Sequence, residues 1–261
     1  MRQKNKEIFL LVILITLLFF INYSWIDLAL FNLFDEQDSG IVERVIDGDT
    51  LVIKGNSFRL LGVNSPERGE KYYDESKTFL EKLVLNKTVR LEYGKDKKDL
   101  YNRTLSYIFI NEKNINLDLV RNGFANFYFP SGKDAYYKKF KLAWEDCIKE
   151  DKNLCKSSEE ECFHCIELKN FDYENQEIIF YNKCDFNCEL TNWKIKDEGR
   201  KNFIFPIFIL NSEEEVKIKV DKEEDSKSVL FWKDQAYVWT KTGDTLFLKD
   251  KQDNLVLWET Y

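Results

Sequence analysis

The chain has 261 residues, 44% hydrophobic and 33% charged, with 10 Gly and 3 Pro, a balance that excludes collagen-like, Pro-rich and wholly disordered architectures. Its one histidine, His164, excludes His-based metal triads and disfavours Ser-His and Cys-His nucleophilic sites, since each needs an imidazole. The net charge of −7 is unevenly spread: residues 40–150 hold 20 basic and 17 acidic groups, and residues 151–261 hold 16 and 24. A polyanionic partner is therefore tolerable only on the mildly basic middle third, and any hydrolysis falls to carboxylates and arginines.

Residues 8–25 (IFLLVILITLLFFINYSW) form an almost unbroken apolar run. Arg2, Lys4 and Lys6 precede it, and Asp35, Glu36 and Asp38 follow. That length is near the lower limit for crossing a bilayer, and the charge asymmetry puts the N-terminus in the cytoplasm. With no small-residue cleavage site after the run, residues 1–39 are expected to be a cytoplasmic N-terminus, a transmembrane helix and a short tether. The expected location is the cell membrane, single-pass, with the remainder extracytoplasmic.

Residues 41–63 read as strands punctuated by turns at Asp47-Gly48 and Gly55-Asn56. Residues 72–85 carry Ser76, Phe79, Leu80, Leu83 and Val84 at helical spacing, and residues 88–93 and 105–110 read as strands. A short helix over 115–122 stops at Gly123, and 135–149 is amphipathic through Phe140, Ala143, Trp144 and Cys147. This order predicts an α+β closed barrel capped by helices over 40–150. A polar linker, 151–164, follows. Over 165–261, seven short strands at 178–181, 190–195, 203–209, 216–220, 237–240, 245–248 and 255–258 predict an all-β sandwich.

Six cysteines sit at 147, 155, 162, 165, 184 and 188. Cys162 and Cys165, then Cys184 and Cys188, have near-ribbon spacing for a structural zinc site, while an even number outside the membrane favours disulfides. Disulfides are the preferred reading and Zn2+ the alternative.

Four motifs carry a resemblance: VIDGDTL at 45–51, FRLLGVNSPE at 58–67, DLYNRTLSYI at 99–108 and LVRNGFA at 119–125. In this order and spacing they resemble the staphylococcal nuclease (thermonuclease) family. The resemblance implies an OB-fold barrel and a Ca2+-dependent phosphodiesterase that cuts DNA or RNA to 3′-phosphate and 5′-hydroxyl ends. It implies that Asp49 ligates the metal, with Asn64 at the family's second ligand position, that Glu67 activates water, that Arg59 and Arg103 clamp the phosphate, and that Tyr101 contacts substrate. Elementary chemistry agrees, because an extra-charged phosphorane calls for a hard cation, a base and fixed positive charge. Asn64 departs from the family's second metal-binding aspartate; its amide oxygen can still ligate calcium but brings no charge, so the expectation is weaker calcium binding, or help from Asp47 or the metal-ligating backbone carbonyl of Ser65. Leu100 replaces a phosphate-contacting lysine.

A second set of motifs, LTNWKIKDEG at 190–199, Phe205-Pro206, Val238-Trp239 and TGDTLFLKD at 242–250, resembles the lamin-tail domain. That resemblance implies an immunoglobulin-like sandwich with a binding role and a ligand the sequence does not name. The expected function is a membrane-anchored nuclease acting on DNA or RNA. The alternative is a catalytically weak nuclease-like barrel that binds nucleic acid or protein.

Overall fold

The computed structural model describes residues 38–261 and, before them, residues 6, 9, 11–14 and 16. The chain divides into two compact units, Met1–Asp38 and Ser39–Tyr261. In the first, the described positions up to Thr16 are helical, and Thr16 Oγ1 donates to the carbonyls of Val12 and Ile13. No helix among the described residues is long and apolar enough to cross a membrane. This overturns the transmembrane helix expected over residues 8–25, and with it the single-pass membrane location and outward orientation. The other positions of that run lie outside the described residues.

The second unit opens with strands β1 (Ser39–Asp47), β2 (Thr50–Ile53), β3 (Asn56–Leu60) and β4 (Gly62–Asn64). Helix α1 (Tyr73–Val84), β5 (Thr88–Lys98), β6 (Thr104–Ile110), β7 (Lys113–Asn114), α2 (Ile115–Arg121), β8 (Asn126–Tyr128) and α3 (Tyr137–Lys149) follow. Neighbours run β3-β2-β1-β5-β6, and a parallel β3–β6 pairing closes the five strands into a barrel. Closure leaves these strands no free edge. Val42, Leu51, Leu60, Val89 and Ile108 fill its interior.

The helices cap the barrel through apolar stripes. Ser76, Leu80 and Val84 of α1 are buried at i, i+4 and i+8, and Phe140, Ala143, Trp144 and Cys147 of α3 at i, i+3, i+4 and i+7. Helix α2 begins at Asn114, whose side chain accepts from the Leu117 N–H. Buried Asn116 then ties α2 to the barrel by donating to the carbonyls of Leu61 and Ser106 and accepting from Ile108 N.

The C-terminal half has strands β9 (Ile166–Asp172), β10 (Glu177–Asn182), β11 (Cys188–Glu189), β12 (Lys194–Lys196), β13 (Asn202–Ile204), β14 (Ile209–Leu210), β15 (Glu215–Lys219), β16 (Val229–Phe231), β17 (Thr245–Lys249) and β18 (Leu255–Thr260). Two four-stranded sheets, β16-β15-β10-β9 and β13-β12-β17-β18, share one core built on Ile178, Phe180, Ile218, Ile195 and Leu248. The run 203–209 splits around Pro206, which has no N–H to give a ladder. Residues 237–240 form no strand, because the N–H groups of Val238 and Trp239 both donate to Gln176 Oε1.

Cys147 pairs with Cys155, Cys162 with Cys188 and Cys165 with Cys184. Every sulfur of the zinc alternative is thus consumed in a disulfide. The C-terminal half also contributes to the barrel's own core: Phe247 and Leu255 are buried in it, and the Phe247 ring lies 5.3 Å from Trp144 and 6.4 Å from Phe127. A shared apolar core of this kind resists separation of the two halves.

Candidate active site

Asp49 ends the turn between β1 and β2. Asp47 Oδ1 accepts from the Asp49 N–H at 3.1 Å, and position 48 must be glycine, because a Cβ there would collide with Ser76 Oγ and lie 2.7 Å from Ser65 Cβ. The turn buries Asp49 under donors. Its Oδ2 accepts from Ser65 N and Ser65 Oγ, both at 2.9 Å, and faces Arg59 Nη2 at 3.2 Å, while Oδ1 accepts from Thr50 Oγ1 at 3.0 Å. Burial works to raise the Asp49 pKa, but the Arg59 guanidinium and these hydrogen bonds prevail and hold the carboxyl below its usual range. Asp47 goes the other way: burial, and then the charge of Asp49, push its pKa up.

Arg59, on β3, is buried and donates from Nη1 to its neighbour's carbonyl at Leu60 and from Nη2 to Asn64 Oδ1 at 3.4 Å. Arg103 lies after the turn joining β5 to β6. Its Nε meets Asp99 Oδ2 at 2.6 Å and its Nη1 donates to Thr50 Oγ1 at 3.4 Å. Asp99 therefore sits below its usual pKa, its slight burial outweighed by the hydrogen bonds and charge of Arg103. Tyr101, 75% exposed, lies with its ring 5.4 Å from the Arg103 guanidinium, and Leu100 is fully exposed.

Glu67 and Asn64 meet a segment from far along the chain, which the sequence reading missed. The loop of residues 197–201 joins β12 to β13 and docks beside the end of β4. Asn64 Nδ2 donates to the carbonyls of Gly199 at 2.8 Å and Glu198 at 3.3 Å, and Asn126 Nδ2 donates to Glu198 O at 2.8 Å. Glu198 Oε1 accepts from Phe129 N at 3.0 Å, and Arg200 Nη2 reaches Glu67 Oε1 at 2.6 Å. Side-chain contacts thus link Asn64, Arg59, Asp49, Thr50 and Arg103, and Glu67 joins them through Arg200, the chain neighbour of the Gly199 that Asn64 holds.

The docking accounts for the departure at position 64. An aspartate there accepts only, whereas two backbone carbonyls require a donor. Separations of 134 and 135 residues leave no spacing signal by which the loop could be found. The missing aspartate was the one trace of it in the sequence.

A hard cation wants clustered oxygens. Among the described residues no group of three or more His, Cys, Asp or Glu is placed to hold a metal. The residues do fit a low-charge site: Asp47 and Asp49 share the turn, and the raised Asp47 reports the electrostatic cost a cation would relieve.

A family model described as the staphylococcal nuclease homologue matches residues 57–157. The thermonuclease of Staphylococcus intermedius is 33% identical over 127 residues, covering 45% of this chain and 76% of that protein. The thermonuclease of Staphylococcus hyicus is 34% identical over 132 residues, with 46% and 76% covered. An uncharacterized endonuclease of Haemophilus influenzae is 36% identical over 107 residues, with 39% and 59% covered. With two thermonucleases each more than 30% identical and matched over three quarters of their length, the chain belongs to the staphylococcal nuclease family and is, by that membership, a nuclease.

Proposed function

We propose that this chain is an endonuclease-type phosphodiesterase that hydrolyses DNA or RNA to 3′-phosphate and 5′-hydroxyl ends with the help of Ca2+. The observation that carries the reading is the chain of contacts joining Asp49, Arg59, Arg103 and Glu67, four residues from separate segments. In the reaction Glu67 takes a proton from water, the water oxygen bonds to phosphorus, the P–O5′ bond breaks, the 5′ oxygen takes a proton from solvent, and Glu67 then returns its own proton to solvent. Arg59 and Arg103 hold the nonbridging oxygens with fixed donors that stay charged at any working pH. Asp99 aims the Arg103 guanidinium, and Tyr101 offers an exposed ring for a base to stack on.

Calcium, when bound by Asp49 and Asp47 with the Ser65 carbonyl, supplies a further positive charge to the phosphoryl group. Asn64 adds no charge and its Oδ1 is engaged by Arg59, so a modest calcium affinity belongs to this reading. The two-sheet C-terminal half supports a lamin-tail-like module, held against the site rather than tethered beside it.

Arg103→Ala tests the assignment. It should slow cleavage of an end-labelled oligonucleotide by at least about 100-fold while product ends remain 3′-phosphate; wild-type rates would remove Arg103 from the site. A second reading, a barrel that binds nucleic acid without cutting it, draws on the Arg200–Glu67 ion pair. Absence of any cleavage by the wild-type chain, with or without calcium, would select it.

A further inference from the structure

Beside the loop that follows Glu67, the outer face of the sheet β13-β12-β17-β18 encloses a cavity of about 170 Å3 against the barrel. Pleating explains its lining. Ile195 points into the sandwich core, so Lys194 and Lys196 on either side project from the opposite face, and Lys249 lies directly across from Lys194 in the ladder. Like charges in such a pair repel. Two of these lysines are compensated, Lys194 by Asp253 at 2.8 Å and Lys196 by Glu70 at 3.3 Å. Lys71, on the barrel side, is held by neutral acceptors, Gln252 O and Asn254 Oδ1, each at 3.0 Å.

Lys249 has no such partner. It is 8% exposed and its ammonium has no hydrogen bond or ion pair among the described residues. Burial, and then the charge of Lys196, push its pKa down to about 8. Lys249 lines the cavity, and its ammonium is a nearly buried cation with no partner of its own among the described residues, which proteins rarely leave unmet.

The cavity thus holds four lysines against two carboxylates, and its buried unpartnered side chain is a cationic donor. The complementary ligand is an oxyanion. At about 30 Å3 per water the volume equals that of about five or six waters, room for a five-atom phosphate and an ester carbon. We propose that this cavity is a phosphate-binding site, in which Lys249 donates to one phosphate group, either of a nucleic-acid strand or of free phosphate. Pro66 and Gly69 line it as well, so a strand phosphate seated there lies outside the scissile position and anchors the strand beside Glu67. The oxyanion site stands on its own donors, and only the strand source rests on the nuclease reading.

The test uses the full chain. Inorganic phosphate should protect Lys249 from acylation, mapped by mass spectrometry, and should bind in calorimetry. Lys249→Met should weaken that binding at least about tenfold, the loss of one charge-assisted hydrogen bond. In a Glu67→Gln background, Lys249→Met should lower the salt dependence of single-stranded oligonucleotide binding by about one phosphate. Loss of phosphate binding together with that reduced slope identifies a strand phosphate, and loss of phosphate binding alone identifies free phosphate. Acylation of Lys249 in the wild-type chain at the same rate with and without phosphate overturns the proposal, and needs no variant to fold.

Discussion

Replacing Asn64 by Asp restores the charge that the family carries at this position, and chemistry at the metal alone would call it an improvement. The structure argues otherwise. Asn64 is 3% exposed, and among the described residues its amide nitrogen is the only side-chain donor to the Gly199 carbonyl and one of two to the Glu198 carbonyl. Asn64→Asp removes both bonds, each contributing about 0.5–1.5 kcal/mol, and sets a carboxylate against two carbonyl oxygens. Arg59 at 3.4 Å offsets part of the repulsion, as a buried guanidinium does for a carboxylate. The net cost is about 2–4 kcal/mol at pH 7 without metal, which for a unit of this size lowers Tm by roughly 4–16 °C. Thermal unfolding of both proteins by circular dichroism in chelator measures it. The deficit should shrink in acid, where the introduced carboxyl regains one donor. A variant as stable as the wild type at pH 7 in chelator would refute the docking argument.

Three further outcomes follow from the same geometry. Burial, and then the charge of Asp244, push Glu198 up to about 8, with Asp197 raised to about 7 and Asp244 raised beside them. A folded pKa above the unfolded value of about 4.3 gives stability that is complete below that value and is lost as pH rises towards 8. Glu198→Gln should therefore gain stability relative to the wild type between pH 5 and pH 8, by a few kcal/mol in urea titrations; a pH-independent difference would remove the buried charge from the account. Reduction of the disulfides closing 8, 19 and 26 residues should cost about 2.5–3.5 kcal/mol each on the chain-entropy model, read as a lowered urea midpoint in dithiothreitol; an unchanged midpoint would count against all three. Arg200→Ala should change global stability by less than about 1 kcal/mol, because both side chains of its ion pair with Glu67 are largely exposed; a larger loss would mean that the loop depends on that pair rather than on Asn64 and Asn126.

The barrel was legible because its signals are local. The turns at Asp47-Gly48 and Gly55-Asn56 that separate β1, β2 and β3, and the α3 stripe of Phe140, Ala143, Trp144 and Cys147, each declare themselves within a few residues. The site residues were legible only through the motifs of the family, since nothing in the spacing of Asp49, Arg59, Glu67 and Arg103 says that they meet. In the C-terminal half, β9 and β16 were missed, and residues 237–240 were read as a strand although Gln176, 62 positions away in sequence, takes their N–H groups. The docking of residues 197–201 and the lysine-lined face of β12 and β17 depend on how the two halves pack. An apolar run of adequate length at residues 8–25 was read as a membrane span, which the described helix does not support.

The central claim is that Glu67 is the base of a working phosphodiesterase. The most direct measurement is the rate at which the purified chain and its Glu67→Gln variant cleave a labelled oligonucleotide, with calcium and with chelator. The account predicts calcium-dependent cleavage by the wild type, a rate at least about 100-fold lower in the variant, and unfolding curves that coincide. Equal rates in the two proteins, or no cleavage by either, would contradict it.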